Sequence, residues 1–166
     1  MWARSSASTT STTSSRATSR RTSAGATKES INRAFSYILA KKSEMGIVRE
    51  LDVSDLHVEV IDLLNNHVEG EIGLGFFVAA ISALKKAPSM AALLVTGDLS
   101  VQGNIKGLRS LVEPLQVAMD NGARRALIPL ENKRNFLEVT GDIMEHVDPI
   151  FFGDPKTAAF KALGLN

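Results

Sequence analysis

The sequence predicts an α/β (α+β) fold with a mixed sheet, on three observations. Apolar residues at helical spacing alternate with short strand-like runs, no segment repeats another, and Gly or Pro marks most junctions. Order is expected over residues 27–166. Thr27 reads as an N-cap with Glu29 in the first turn. Ile31, Ala34, Phe35, Ile38 and Leu39 then recur at helical spacing to about Lys42. "DLHVEV", 55–60, alternates as a half-buried strand, with Leu56, Val58 and Val60 inward and His57 and Glu59 outward. The loop "DLLNNHVEGE" leads into an apolar helix over roughly Ile72 to Lys86, closed by Pro88.

"AALLVTGD" reads as a buried strand ending at Gly97, and "LSVQGNIKG" as a hairpin turning at Gly103-Asn104. The next helix starts between Ser110 and Pro114, where two signals compete: Ser110 with Glu113 forms a capping box, while Pro114 suits the first helical position. Gly122 is its expected C-cap. "RRALIP" is a strand stopped by Pro129, "ENKRNFLEV" a short helix, "VDPIFF" a strand and "DPKTAAFKALG" the closing helix. Three helices are expected to pack on the sheet.

Composition bounds the function. Of 166 residues, 44% are hydrophobic and 22% charged, as in ordinary globular proteins with a real core. With no cysteine there is no disulfide, thiolate metal site or cysteine nucleophile. The longest uncharged run, Ile72 to Leu84, falls short of the roughly 18 residues that span a bilayer, so no membrane partner is expected. Residues 1–26 hold four arginines, no acid and fourteen Ser or Thr, so the tail is +4 and the remainder −3. Such a tail cannot bury enough apolar surface to order itself, and is expected to be a disordered linker, although its composition imitates a transit peptide.

Several chemistries fail on residue identity. Gly70 and Gly75 have phosphate-loop spacing, but Phe76 and Phe77 stand where Lys and Ser or Thr are needed. Gly73-x-Gly75 lacks the third glycine of a dinucleotide fingerprint. His67, Glu69 and Glu71 are spaced as possible metal ligands, yet nothing fixes their directions, and Glu71 is explained by the favourable dipole at a helix start. No cofactor or metal is therefore expected. Arg124, Arg125, Lys133 and Arg134 are spread out, away from Trp2 and Tyr37, and make a solvated face instead of a stacking platform. Only the arginine tail is expected to be drawn to DNA phosphates.

"DLHVEV", the glycine-loop helix, "VTGDLSVQGNI", "VAMDNGARRALIPLENKRNF" and "DPKTAAFKALG" together resemble the proteolytic domain of Lon. They resemble still more closely the C-terminal domain of Lon-related AAA+ ATPases in BREX phage-defence systems. The resemblance covers about residues 27–166, and "ALIPLENKR" with the Thr96-Gly97-Asp98 hairpin is its most specific part. It implies the Lon-type mixed α/β fold, a prokaryotic cytoplasmic setting and a homo-oligomeric ring, hexameric or larger. It also implies an ATPase module beside the domain; ATP and Mg belong to that module, since this chain carries no ATPase motif.

Lon peptidases use a serine–lysine dyad, in which a buried neutral lysine takes the proton of the attacking hydroxyl. Counted back without gaps from Thr96, the family's D-G-P-S-A-G loop falls on "VEGEIG", and the serine position is Glu71. The G-G-L-K-E pattern falls on "RSLVE", and the lysine position is Val112. A carboxylate is a poor nucleophile toward an amide, and valine cannot take a proton. Ser110 and Lys106 are weak substitutes: Lys106 lies on a hairpin expected to be wet, where a lysine keeps its proton. Ser82 is a packing residue within its helix. The chain thus reads as a pseudoprotease, an assembly scaffold cut from a longer protein or a short gene product. The alternative is an active ATP-dependent serine peptidase with a displaced dyad.

Overall fold

The computed structural model describes residues 25–57 and 72–165. Three parallel strands form the central sheet: β1 (Leu93–Val95), β4 (Arg125–Pro129) and β5 (Asp148–Phe152), in the order β1-β4-β5. Leu93 is in register with Arg125, and Arg125 with Asp148. A separate antiparallel pair, β2 (Asp98–Leu99) and β3 (Ile105–Lys106), is the expected hairpin. Its turn passes through Gly103 at φ +89, a conformation that favours glycine.

Side-chain alternation along the sheet divides the core into two. Leu127 and Phe152 point to one side, with helices α1 (Gly25–Lys41), α3 (Gly73–Lys85) and α7 (Pro155–Leu163). Ala126 and Ile128 point to the other, with α4 (Val112–Asp120), α5 (Lys133–Phe136) and α6 (Gly141–His146). The α/β fold is as the sequence predicts, with helices on both faces of the sheet. α3 is the central helix: Leu74, Phe76, Phe77, Val78, Ala80, Ile81 and Leu84 are all buried. Its near-continuous apolar sequence follows from contact with both α1 and α7.

The outer edge of β5 is blunted. The Asp148 N–H bonds the Arg124 carbonyl, so Asp148, Ile150 and Phe152 turn their backbone groups toward β4, and Pro149 and Phe151 turn theirs outward. Pro149 offers no N–H, and the Phe151 carbonyl accepts from Lys161 Nζ at 2.6 Å. Both devices deter strand addition.

Several boundaries differ from expectation. α1 is already helical at Gly25, so Thr27 lies inside the helix and does not cap it. A short helix, α2 (Val48–Val53), precedes residues 54–57, which have no regular structure, so the strand expected over 55–60 does not begin at Asp55; residues 58–60 lie outside the described residues. α4 starts at Val112, within the expected span from Ser110 to Pro114, but behind Leu111 with no side-chain cap, so neither signal sets its start. Burial of Leu111 and Leu115 fixes it instead, a case of packing overriding a local signal. Asn121 is the C-cap, and Gly122 follows at φ +84. α6 was not anticipated at all.

Candidate functional site

The N-terminus of α3 is built around a buried carboxylate. Asp98 is 3% exposed, and it accepts from Ser30 Oγ at 2.8 Å and from Arg33 Nη2 at 2.6 Å. Arg33 also pairs with Glu29 at 3.1 Å, one turn back on α1. Two turns of α1 are thereby tied to the first residue of β2. The same carboxylate presses on Gly73, the first residue of α3: a Cβ there would collide with Asp98 Oδ1 and stand 2.8 Å from Ser30 Oγ. Gly73 is therefore required by close approach. Gly97, at φ +100 between Thr96 and Asp98, aims the carboxylate at this spot. Thr96 closes the arrangement by donating its hydroxyl to the Leu127 carbonyl at 2.6 Å.

A second latch fixes the segment that leads into α4. Asn132 is 3% exposed, in a 3-10 turn spanning Leu130–Asn132. Its Oδ1 accepts from the Leu108 N–H at 2.9 Å, and its Nδ2 donates to the Leu108 carbonyl at 2.6 Å. One side chain thus imitates a strand partner. This gives "ALIPLENKR" a physical role, because Asn132 pins the chain four residues before Val112. An open groove of ≈ 420 Å³ lies beside the latch, lined by Ile105, Lys106, Gly107, Leu108, Glu131 and Asn135.

Val112 is the first residue of α4 and 38% exposed. Its hydrocarbon side chain has no atom that can accept a proton. Lys106 is exposed on β3, and Ser110 is exposed in the loop before α4. Ser82 donates to the Ala87 carbonyl at 2.6 Å and so stabilises the end of α3. Glu71, His67 and Glu69 lie outside the described residues. Among the described residues, no group of three or more His, Asp or Glu could hold a metal ion, and no helix is long and apolar enough to cross a membrane.

Tyr37 supports the hairpin from below. Its ring lies 5.6 Å from that of Phe77 and fills the space above Gly103. Burial pushes its phenol above the ordinary value, Lys41 opposes this, and Asp154 and Glu44 add to it. Lys41 is itself shifted upward by its 2.6 Å hydrogen bond to Glu44. The Asp98 and Asn132 latches join residues far apart in sequence: both residues lie in the two most specific motifs, but their partners Ser30, Arg33 and Leu108 were not legible from those motifs.

The profile of the Lon protease (S16) C-terminal proteolytic domain matches residues 12–159. The chain is 27% identical over 139 residues to a protein named Lon-like protease BrxL of Escherichia coli O9:H4 (strain HS), covering 84% of this chain and 20% of that protein. It is 28% identical over 138 residues to the protein of the same name in Bacillus cereus (strain H3081.97), covering 83% and 20%. A Lon protease of Buchnera aphidicola subsp. Schizaphis graminum (strain Sg) is 30% identical over 119 residues, covering 71% and 15%. The chain spans about a fifth, or less, of the length of these relatives.

Proposed function

Because the chain belongs to the Lon protease (S16) C-terminal proteolytic domain family, we propose that it is a catalytically silent member that serves as an assembly domain. The observation that carries this reading is Val112, a hydrocarbon at the first position of α4 where the resemblance puts the dyad lysine. The sequence places Glu71 at the serine position. Without a nucleophile and a base, the latched frame holds a shape and performs no acyl transfer.

Assembly is supported by the surface. Val112, Val117, Leu130, Leu137 and Met144 are exposed on α4, the 3-10 turn and α5–α6, with Leu137 at 78%. Side chains of this kind are what a ring contact between identical domains would cover. In this reading the domain forms a homo-oligomer, hexameric or larger. It serves an AAA+ ATPase module of a BREX-type phage-defence protein in the prokaryotic cytoplasm, and ATP and Mg act only in that module. DNA would be met by the longer protein or through the arginine tail. Residues 1–26 act as a linker to the domain at 27–166.

The test is hydrolysis of a fluorogenic peptide pool by the purified chain, beside Ser110→Ala and Lys106→Ala variants. The expected result is no hydrolysis above the buffer rate. Hydrolysis by the unaltered chain that disappears in both variants would overturn the proposal and establish a displaced dyad.

A further inference from the structure

The end of the molecule opposite the Asp98 latch gathers basic residues from three elements. Lys85 and Lys86 close α3, Arg124 precedes β4 and Arg125 opens it, and Lys161 lies in the last turn of α7 with its ammonium held by the Phe151 carbonyl. The loop 86–92 binds them into one surface. The Ala92 carbonyl accepts from the N–H groups of Arg124 at 2.9 Å and Arg125 at 3.2 Å, and Arg125 Nη1 donates to the Ala91 carbonyl at 3.4 Å. The Met90 N–H bonds the Ala162 carbonyl at 2.8 Å, next to Lys161. Among the described residues, none of these five cations has an ion-pair partner; the pairs are made by Arg33, Lys41, Lys42 and His146 elsewhere. Asp148 stands in register with Arg125 on β5 without pairing to it.

The same loop is conformationally strained. Lys86 at φ +53 and Ala92 at φ +54 are the described non-glycine residues in the left-handed region. Lys86 occupies a helix end where glycine is the usual residue, so a cation is kept there against the backbone preference.

We propose that this basic end docks the phosphate backbone of nucleic acid, with the exposed Lys86 and Arg124 as the cations that lead it. Two features favour this partner. Among the described residues, the exposed large apolar side chains lie on α1, α2, the hairpin and α4–α6 and at Leu165, and none belongs to the loop 86–92 or to Arg124 and Arg125, so a protein partner finds no apolar centre in that loop. The Phe160 ring is covered by Lys85 Nζ at 5.3 Å and Lys156 Nζ at 5.7 Å, so it offers no face for a base to stack on. What remains is charge directed at phosphates, with no sequence readout. This surface is independent of the peptidase question.

The experiment is fluorescence anisotropy of a labelled random-sequence DNA duplex with the full chain, repeated at several salt concentrations. Lys86→Glu with Arg124→Glu is expected to weaken binding at least about tenfold and to flatten its salt dependence. Lys133→Glu with Arg134→Glu makes the same charge change on α5, and should stay within about twofold of the unaltered chain. Lys86→Gly is expected to raise the melting temperature yet still weaken binding, which separates docking from folding. Absence of salt-dependent binding would overturn the proposal, as would equal loss in the two charge-reversed pairs. So would loss that follows Arg16→Ser, Arg20→Ser and Arg21→Ser in the tail, or competition by polyglutamate as effective as by DNA.

Discussion

At the scale of single residues, Asp98 and Gly73 define each other. A buried carboxylate persists only when hydrogen-bonded and paired, and Asp98 has both Ser30 and Arg33. Asp98→Ala strands the Arg33 guanidinium and is expected to cost about 2–4 kcal/mol in urea unfolding. Gly73→Ala drives a methyl into the carboxylate and should cost about 1–3 kcal/mol. The two changes together should cost clearly less than their sum, because the added methyl then meets space that the carboxylate has left. Full additivity would contradict the contact. Tyr37 gives a second prediction at this scale. It is the only tyrosine in the chain, so phenolate absorbance reports it directly. Its folded pKa lies above the ordinary phenol value of 10.0, chiefly through burial. The unfolded chain therefore loses the proton first, and the stabilisation, complete below pH 10, is lost as pH rises through the folded pKa. Tyr37→Phe should remove that part of the alkaline decline in melting temperature. A folded-state midpoint at or below the ordinary value would contradict the burial argument. Sequence reading reached Val112 by register alone, but not the partners of Asp98, because 65 residues separate Arg33 from Asp98 and no local pattern spans that distance.

At the scale of elements, legibility followed burial. α3, β4, β5 and α7 were readable because their apolar residues fill the two cores. The hairpin was readable from its turn residues. α2 and α6, six residues each, were not, since neither is long enough to show a period. The start of α4 falls at Val112, within the expected span from Ser110 to Pro114, but its cause was not legible: Leu111 and Leu115, at 1% and 0% exposure, outweigh any cap that Ser110 could supply. Two substitutions test the connections. Asn132→Ala leaves both backbone groups of Leu108 without their partner and should cost about 1–3 kcal/mol, read from chemical denaturation. Lys86→Gly relieves a left-handed residue at the end of α3 and should gain about 1 kcal/mol. A destabilised Lys86→Gly variant would show that the lysine side chain contributes more to the fold than its backbone costs.

At the scale of the whole molecule, three regions divide the labour. One end is held by the Asp98 and Asn132 latches, the α4–α6 face exposes apolar side chains, and the end of α3 carries Lys85 and Lys86 beside Arg124 and Arg125. Ordinary composition and a net charge of +1 concealed this separation, because the basic residues come from three elements distant in sequence. The central claim is that the domain assembles and does not cut. Its most direct test is the solution mass by light scattering over a dilution series of the full chain. The account predicts a ring of fixed mass, several times 17.8 kDa, that survives dilution. A clean 17.8 kDa monomer at every concentration would contradict it.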